Sequence, residues 1–386
     1  MPVTRYQSTK AILEGLVALA ASCASPLALQ TLATTSKGWP LTSASIGSGP
    51  TKVLLTFGIH GREYMTSEIA VHFLNQLCSG DEDALLKDVT FTMLPVFNPD
   101  GRARTDVALG HPNGIGDQAC GDRRKNGRLV DLNRNFDWAW DKDGASSADP
   151  SSTSYRGTGP NSEVEAQTLD KLAGEVKPDM YIDIHTGTLA MYTPWNHNSS
   201  GARNNDEAMA LLERVLAGAD WYRGRQPRHG VGGIISYLAS GTAADFVFAA
   251  HHPRYSFIWE TYLQGADLEG TVFSATNFSA TADMTAKLPR GDMAHKLVLP
   301  PRKRQMPPSS LQPQELRQAE PRGTLYSDAA SDNSEPSEWM GDGCFEYFNP
   351  TAPSSLEGWV NSWTDALFLA SRELVKDMAA EGSAGR

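Results

Sequence analysis

A chain of 386 residues, 40% of them hydrophobic, is long enough for one large domain or two ordinary ones and buries a real core. Its formal charge of -11, from 34 Lys and Arg against 45 Asp and Glu, excludes a phosphate-backbone partner, because nucleic-acid binding draws on clustered cations. No run of apolar residues reaches the length of a membrane helix.

Residues 11–29 are fairly apolar and follow Arg5 and Lys10, in the manner of a signal peptide. Glu14 interrupts that core. With Ser8 or Thr9 as N-cap and Ile12, Leu13, Leu16, Val17 and Leu19 on one side, the stretch fits an amphipathic helix better. Residues 53–59 read as a buried strand that stops where His60 begins, and 89–97 as a second strand. The second ends at Asn98-Pro99-Asp100-Gly101, whose Pro and Gly predict a turn. Residues 180–184 form a third strand with His185 at its carboxyl end, and 255–259 a fourth followed by Glu260. Polar or helical segments at 163–172 and 205–216 separate the strands, which predicts an α/β fold: a mixed, mostly parallel twisted sheet with helices on both faces. Ligands in such folds sit beyond the carboxyl ends of the strands.

Composition changes after Gly265. Residues 266–341 are rich in Pro, Ser, Ala and Gln and read as a flexible insertion in a domain made of 1–265 and 342–386. The basic run Arg302-Lys303-Arg304 inside it reads as a solvated loop. Residues 356–375 carry Trp359, Val360, Trp363, Leu367 and Leu369 at near-helical spacing, so the chain ends in a core-packing helix. Cys23, Cys78, Cys120 and Cys344 contain no CxxC pair, which points away from a sulfur-ligated metal and leaves room for one disulfide.

His60 and Glu63 are three apart, which on a helical turn or tight loop aims both side chains at one point. Zinc accepts imidazole and carboxylate, and its catalytic sites use three protein ligands. His185, closing an apolar strand, is the best third candidate. His72 falls in an amphipathic helix, and His111, His197, His229, His251, His252 and His295 in polar segments. Asp131 and Asp183 lie near the right segments to orient the imidazoles, although each fits a capping or surface role equally well.

These residues occur with Asn98-Pro99-Asp100-Gly101, Arg124-Lys125-Asn126, Asp131-Leu132-Asn133-Arg134-Asn135-Phe136, Tyr155-Arg156-Gly157, Asn161-Ser162-Glu163, Tyr237-Leu238-Ala239-Ser240-Gly241 and Tyr255-Ser256-Phe257-Ile258-Trp259-Glu260. In that order they resemble the zinc metallocarboxypeptidases of the carboxypeptidase A/B family, from about Tyr6 to Gly265 and again from about Gly343. The resemblance implies one zinc ion on His60, Glu63 and His185, with Asp131 orienting His60. It implies Glu260 as general base and Arg124 as the donor to the developing oxyanion. Asn133 and Arg134 would clamp the terminal carboxylate of a peptide or protein substrate, Arg with its planar fork. Tyr237 would close over the bound residue, and Arg62 would contact substrate further upstream.

In the family one position near the base of the pocket for the terminal side chain decides between acidic, basic and apolar residues; counting from Tyr237, the resemblance puts Ala244 there and so implies an A-like preference for apolar or aromatic residues. A register shifted by one would put Asp245 there and favour Lys or Arg. A catalytically silent module that binds C-terminal peptides, and a glutamate-trimming enzyme that would need a basic pocket floor, are the competing readings. A monomer is expected, and Co or Mn would suit the same ligands. The family's disulfide near the Asn-Arg motif is half present, with Cys120 but no partner near residues 151–155. Its secreted members carry a signal peptide and a pro-segment, whereas the resemblance here begins within the first ten residues. Asn198-Ser199-Ser200 and Asn277-Phe278-Ser279 are formal glycosylation sequons, a number that chance supplies.

Overall fold

The computed structural model describes residues 3–108, 120–142, 145–266 and 343–384. The chain divides into two units, residues 1–281 with 339–386 and residues 282–338, of which the second lies wholly outside the described residues. So does the expected insertion at 266–341, apart from Ala266, which is buried in the core.

Eight strands are described: β1 (Leu27–Thr34), β2 (Pro40–Gly47), β3 (Thr51–Phe57), β4 (Val89–Leu94), β5 (Met180–His185), β6 (Leu189–Thr193), β7 (Arg228–Val231) and β8 (Tyr255–Thr261). The helices of the first half are α1 (Thr9–Ser22), α2 (Met65–Leu77), α3 (Asp83–Asp88), α4 (Pro99–Ala108) and α5 (Cys120–Arg124). The second half adds α6 (Val164–Val176), α7 (Asn205–Gly218), α8 (Gly232–Ile235), α9 (Ala243–His251), α10 (Gly343–Phe348) and α11 (Pro353–Ala384). The sheet runs β1-β2-β4-β3-β5-β8-β6-β7. Its centre, β4-β3-β5-β8, is parallel, as is β6-β7, while β1-β2, β2-β4 and β6-β8 are antiparallel.

Strand side chains alternate between faces, and the two cores divide accordingly. Val53, Leu55 and Phe57 of β3 and Phe257 and Trp259 of β8 pack against α1, α2, α7 and α11. Leu54, Tyr181 and Ile258 point the other way, against α6 and α9. Helices therefore cover both faces, as expected, and the four strands read from sequence are the parallel centre, buried on both sides.

Asn98-Pro99-Asp100-Gly101 differs from expectation: it opens α4 instead of forming a turn. Proline costs little at a first helical position, where its missing N–H would go unbonded anyway. Asn98 caps the helix by accepting from the Gly101 amide at 2.8 Å. Glycine is required here by close approach. A Cβ on Gly61 would meet the Gly101 carbonyl carbon at 2.0 Å, and one on Gly101 the Lys125 carbonyl oxygen at 2.6 Å. The segment after β3 is thus pressed against the start of α4.

Residues 9–22 form the amphipathic helix, capped by Ser8 on the Ala11 amide. Both disulfides form, Cys23–Cys78 and Cys120–Cys344, where the sequence left room for one. The partner of Cys120 lies 224 residues away, beyond the reach of any local spacing rule. No helix among the described residues is long and apolar enough to cross a membrane.

Two tests follow from this packing. Trp363 on α11 packs edge-on to Trp221, tilts against Trp259 and donates from its indole to the Thr261 carbonyl at 2.8 Å. Trp363→Ala should cost about 3–5 kcal/mol in denaturant unfolding. Buried Asp106 accepts from the Thr9 amide, and burial pushes its carboxyl from the ordinary 3.8 up to about 7. A pKa raised by folding favours the folded state fully below the unfolded value, and that contribution is lost as pH climbs to the folded one. Asp106→Asn should therefore flatten the fall in thermal stability between about pH 4 and 7 that Asp106 contributes in the parent.

Candidate metal centre

The centre of the sheet decides where the chemistry lies. β3, β5 and β8 are adjacent and parallel, so their carboxyl ends open at one edge. Phe57 pairs with Ile184, and His185 with Glu260. His60 and Glu63 leave β3 in a turn, closed by the Glu63 amide on the His60 carbonyl at 3.1 Å, and Glu63 precedes α2. Asn98 ties this turn to the next by donating to the carbonyls of Ile59 and Arg124, at 3.0 and 3.3 Å.

His60, Glu63 and His185 come together, buried, with one donor atom from each within 4.8 Å of the others. Glu63 spans the imidazoles: Oε1 lies 2.6 Å from His60 Nδ1 and Oε2 3.1 Å from His185 Nδ1. The Thr186 amide fixes that carboxylate from behind at 3.1 Å. The far ring nitrogens are engaged as well, His60 Nε2 with Asp131 Oδ1 at 3.2 Å and His185 Nε2 with Asp183 Oδ2 at 2.8 Å. A ring whose Nε2–H is held by a carboxylate presents a lone pair at Nδ1, the tautomer a metal needs. The two Nδ1 atoms lie 3.2 Å apart with a carboxylate between them, an excess of acceptors over protons that a divalent cation relieves. Two imidazoles and a carboxylate suit zinc, so the residues fit the ion.

Asp131 was expected beside His60 and is there. Arg124 Nε donates to its other oxygen at 2.8 Å, while Arg124 Nη1 lies 3.1 Å from His60 Nδ1. Asp183, which the sequence left open, holds His185 and is itself fixed by Thr56 at 2.7 Å. Its signal was alternation: Asp183 is two residues before His185 on one strand and so shares its face.

Charge within the cluster is strongly partitioned. Burial alone would raise Asp131, but Arg124 and Arg134 hold it well below the usual carboxylate range. Burial lowers His60, and Arg124 adds to that; His185 resists the same burial because Asp183 and Glu63 raise it. Glu63 is held low against burial by the two imidazoles. Glu260 goes the other way. Burial pushes its carboxyl from 4.5 up to about 7, His185 and Arg124 pulling down and Glu63 and Asp183 pushing up. Its Oε2 is buried and meets no hydrogen-bond partner among the described residues.

The expected substrate groups lie at the same edge. Asn133 and Arg134 occupy a single helical turn, Leu132–Arg134, capped by Asp131 on the Asn133 amide at 3.1 Å. Asn133 Oδ1 accepts from the Ala243 amide at 2.8 Å, which joins the turn to α9. Arg134 donates to the Asn133 carbonyl at 2.6 Å and to the Tyr237 hydroxyl at 3.2 Å, and its buried Nε is free of any described partner. Tyr237 is 45% exposed. Arg62, also buried, donates to the Cys120 carbonyl at 3.2 Å with its guanidinium 3.9 Å over the Phe348 ring. Ala244 is buried in the first turn of α9. Asp245 beside it is consumed by four donors: the Asn196 amide and Nδ2, the His197 amide and the His197 ring.

The description "Zinc carboxypeptidase" applies to the family that matches residues 12–287. Zinc carboxypeptidase A 1 of Anopheles gambiae is 27% identical over 251 residues, 62% of this chain and 56% of the relative. Carboxypeptidase A1 of Mus musculus is 28% identical over 270 residues, 66% of this chain and 61% of the relative. The chain thus matches less than two thirds of either relative's length. In three dimensions it resembles bovine thrombin-activatable fibrinolysis inhibitor, solved with a tick carboxypeptidase inhibitor, at TM-score 0.59 and 22% identity over 68% of this chain and 88% of that one. The carboxypeptidase A of Helicoverpa armigera gives TM-score 0.56 at 23% identity, covering 68% and 66%. At such identities these two likenesses speak for the fold.

Losing the partner of a ligating histidine typically weakens metal binding about 10–100-fold. Asp183→Asn should do so in a chelator-competition titration with zinc, while the far-ultraviolet spectrum stays unchanged.

Proposed function

This chain belongs to the zinc carboxypeptidase family, and we propose that it is an exopeptidase that hydrolyses the last peptide bond of peptides or proteins. The observation that carries the reading is a carboxylate, Glu260, whose buried Oε2 is unbonded on the strand position paired with His185 of the His60-Glu63-His185 cluster, together with an arginine, Arg134, whose buried Nε is also unbonded. One supplies the means to activate water, the other the means to hold a terminal carboxylate.

Zinc bound by His60, Glu63 and His185 would supply a Lewis acid that polarises the scissile carbonyl and acidifies a nearby water. Glu260 takes the proton from that water and returns it to the departing amine. A carboxyl pushed up to about 7 is suited to both steps near neutrality, because it accepts and releases a proton at similar cost. Arg124 donates to the carbonyl oxygen as it gains charge, and its anchor on Asp131 means that little reorganises during the reaction. Arg134 receives the substrate carboxylate with the help of Asn133, and Tyr237 closes over it. Arg62, held by the Cys120 carbonyl and the Phe348 ring, contacts the residues preceding the terminal one.

The pocket for the terminal side chain is floored by Ala244, and its surroundings, Ala243, Ile258 and Ile235, are apolar. Asp245 is unavailable to a cationic side chain because its oxygens already accept from Asn196 and His197. This supports apolar or aromatic preference over Lys or Arg, and no basic group at Ala244 serves a terminal Glu. A silent peptide-binding module would have no need of Glu260 held unbonded beside three metal ligands.

With N-blocked peptides ending in Phe, Leu, Lys or Glu, release of Phe and Leu should be fastest, should stop with chelator and should return with zinc. Faster release of Lys would overturn the pocket assignment. Glu260→Gln should lower kcat by roughly 10²–10⁴ with zinc content unchanged; full activity in that variant would remove Glu260 from the chemistry.

A further inference from the structure

Glu63 sits where a turn becomes a helix. Its amide bonds the His60 carbonyl at 3.1 Å, and its carbonyl accepts from the Thr66 hydroxyl at 2.6 Å. Two residues farther α2 begins, and the first amides of a helix have no partner within it. A polar side chain at the cap position usually supplies one. Here that position is Tyr64, whose side chain makes no capping bond. An acceptor for the Met65 amide has to come from elsewhere in the chain.

It comes from Asn349, the buried residue that follows α10. Asn349 Oδ1 accepts from the Met65 amide at 3.0 Å, and Nδ2 donates to the Arg62 carbonyl at 2.9 Å, across 284 and 287 residues of sequence. One amide group thus spans the backbone on either side of Glu63. Nδ2 also donates to the Phe345 carbonyl at 3.0 Å, so both of its hydrogens are used. These partners fix which end of the amide is which: turned over, it would set its oxygen against two carbonyls and its NH2 against an N–H. Of the side chains with this shape, an ionised Asp has no donor and Leu has neither donor nor acceptor. Asn349 is itself held in place. The Cys120–Cys344 bridge ties α10 to α5, Phe345 packs edge-on to Tyr6 and Tyr64, and the Tyr6 hydroxyl donates to the Pro350 carbonyl at 2.7 Å.

We propose that Asn349 is a positioning residue for the metal centre: by bridging Arg62 and Met65 it sets the backbone of Glu63, and with it the approach of the Glu63 carboxylate to zinc. This rests on the reading of His60, Glu63 and His185 as the ligands. The physical basis is the double duty of Glu63, whose two oxygens meet the two imidazoles at 2.6 and 3.1 Å. A carboxylate that serves both rings at once tolerates little displacement of its backbone, and Asn349 restrains that backbone from both sides.

The test is a chelator-competition titration of zinc on the full chain and on two variants of it. Asn349→Leu keeps the shape and loses all three bonds; Asn349→Ser is the milder change, with a hydroxyl too short to bridge both partners. Tyr6→Phe is the control, since it removes the bond to Pro350 next door and leaves those of Asn349 intact. The zinc dissociation constant should rise on the order of tenfold in both Asn349 variants, the lower end of the loss typical for groups that orient a ligand, and stay at the parent value in Tyr6→Phe. Visible absorption of the cobalt-loaded proteins, which reports ligand geometry, should change in the Asn349 variants and match the parent in Tyr6→Phe. Parent affinity and spectrum in a folded Asn349 variant overturn the role of Asn349 and leave the ligand set standing. An equal loss in Tyr6→Phe overturns it too, because the effect then belongs to loosened packing around residues 343–350. Failure of the parent itself to bind zinc overturns the reading of the ligands and this inference together.

Discussion

Two buried carboxylates that touch no expected substrate, Asp131 and Asp183, are the constraint on which the rest of the centre depends. Each holds the far nitrogen of an imidazole and so turns the near nitrogen towards Glu63. Without them the rings would be free to rotate and to carry their protons on the wrong side, and three donors that happen to be close would not form a binding site. Each carboxylate is in turn restrained, Asp131 by Arg124 and the Asn133 amide and Asp183 by Thr56. The sheet and the turns thus determine the protonation pattern as well as the positions.

The same economy of charge explains why Glu260 differs from its neighbours. Glu63, Asp131 and Asp183 all meet imidazoles or Arg124 at hydrogen-bonding distance, but Glu260 Oε2 meets nothing. Burial then outweighs the pull of His185 and Arg124, and its carboxyl rises to about 7 while Glu63 and Asp131 are held low. Carboxylates at one sheet edge thus differ in proton affinity according to the partners that each one meets. Arg134 shows the corresponding pattern for a cation: two of its nitrogens are fixed by Asn133 and Tyr237, and Nε is left over.

Close packing makes these placements durable. The parallel centre is covered on one side by α1, α2, α7 and α11 and on the other by α6 and α9, so β3, β5 and β8 have little freedom to shift relative to one another. Gly61 and Gly101 let the turn that carries His60 and Glu63 lie directly on the start of α4. The Cys120–Cys344 bridge joins α5 to α10, and α5 also carries Arg124 while α10 carries the Phe348 ring beneath Arg62.

By itself the sequence determined the elements whose signal is local. The four central strands were legible as apolar runs, since both of their faces are buried, and α11 as a helical period of Trp and Leu. His60 and Glu63 were legible because a spacing of three already aims two side chains at one point, and His185 because it closes such a strand. The outer strands β1, β2, β6 and β7 were not read; in β1 burial is partial and mixed with exposed positions, which blurs the period. Asn98-Pro99-Asp100-Gly101 was misread because the same residues that make a turn also start a helix. What only the tertiary structure decided were relations across long separations: the pairing of Cys120 with Cys344, the fixing of Asp183 by Thr56, and the sequestration of Asp245 by Asn196 and His197. Spacing in a chain restricts only neighbours, whereas the partner of a buried polar group is chosen by whichever distant segment the sheet order brings beside it.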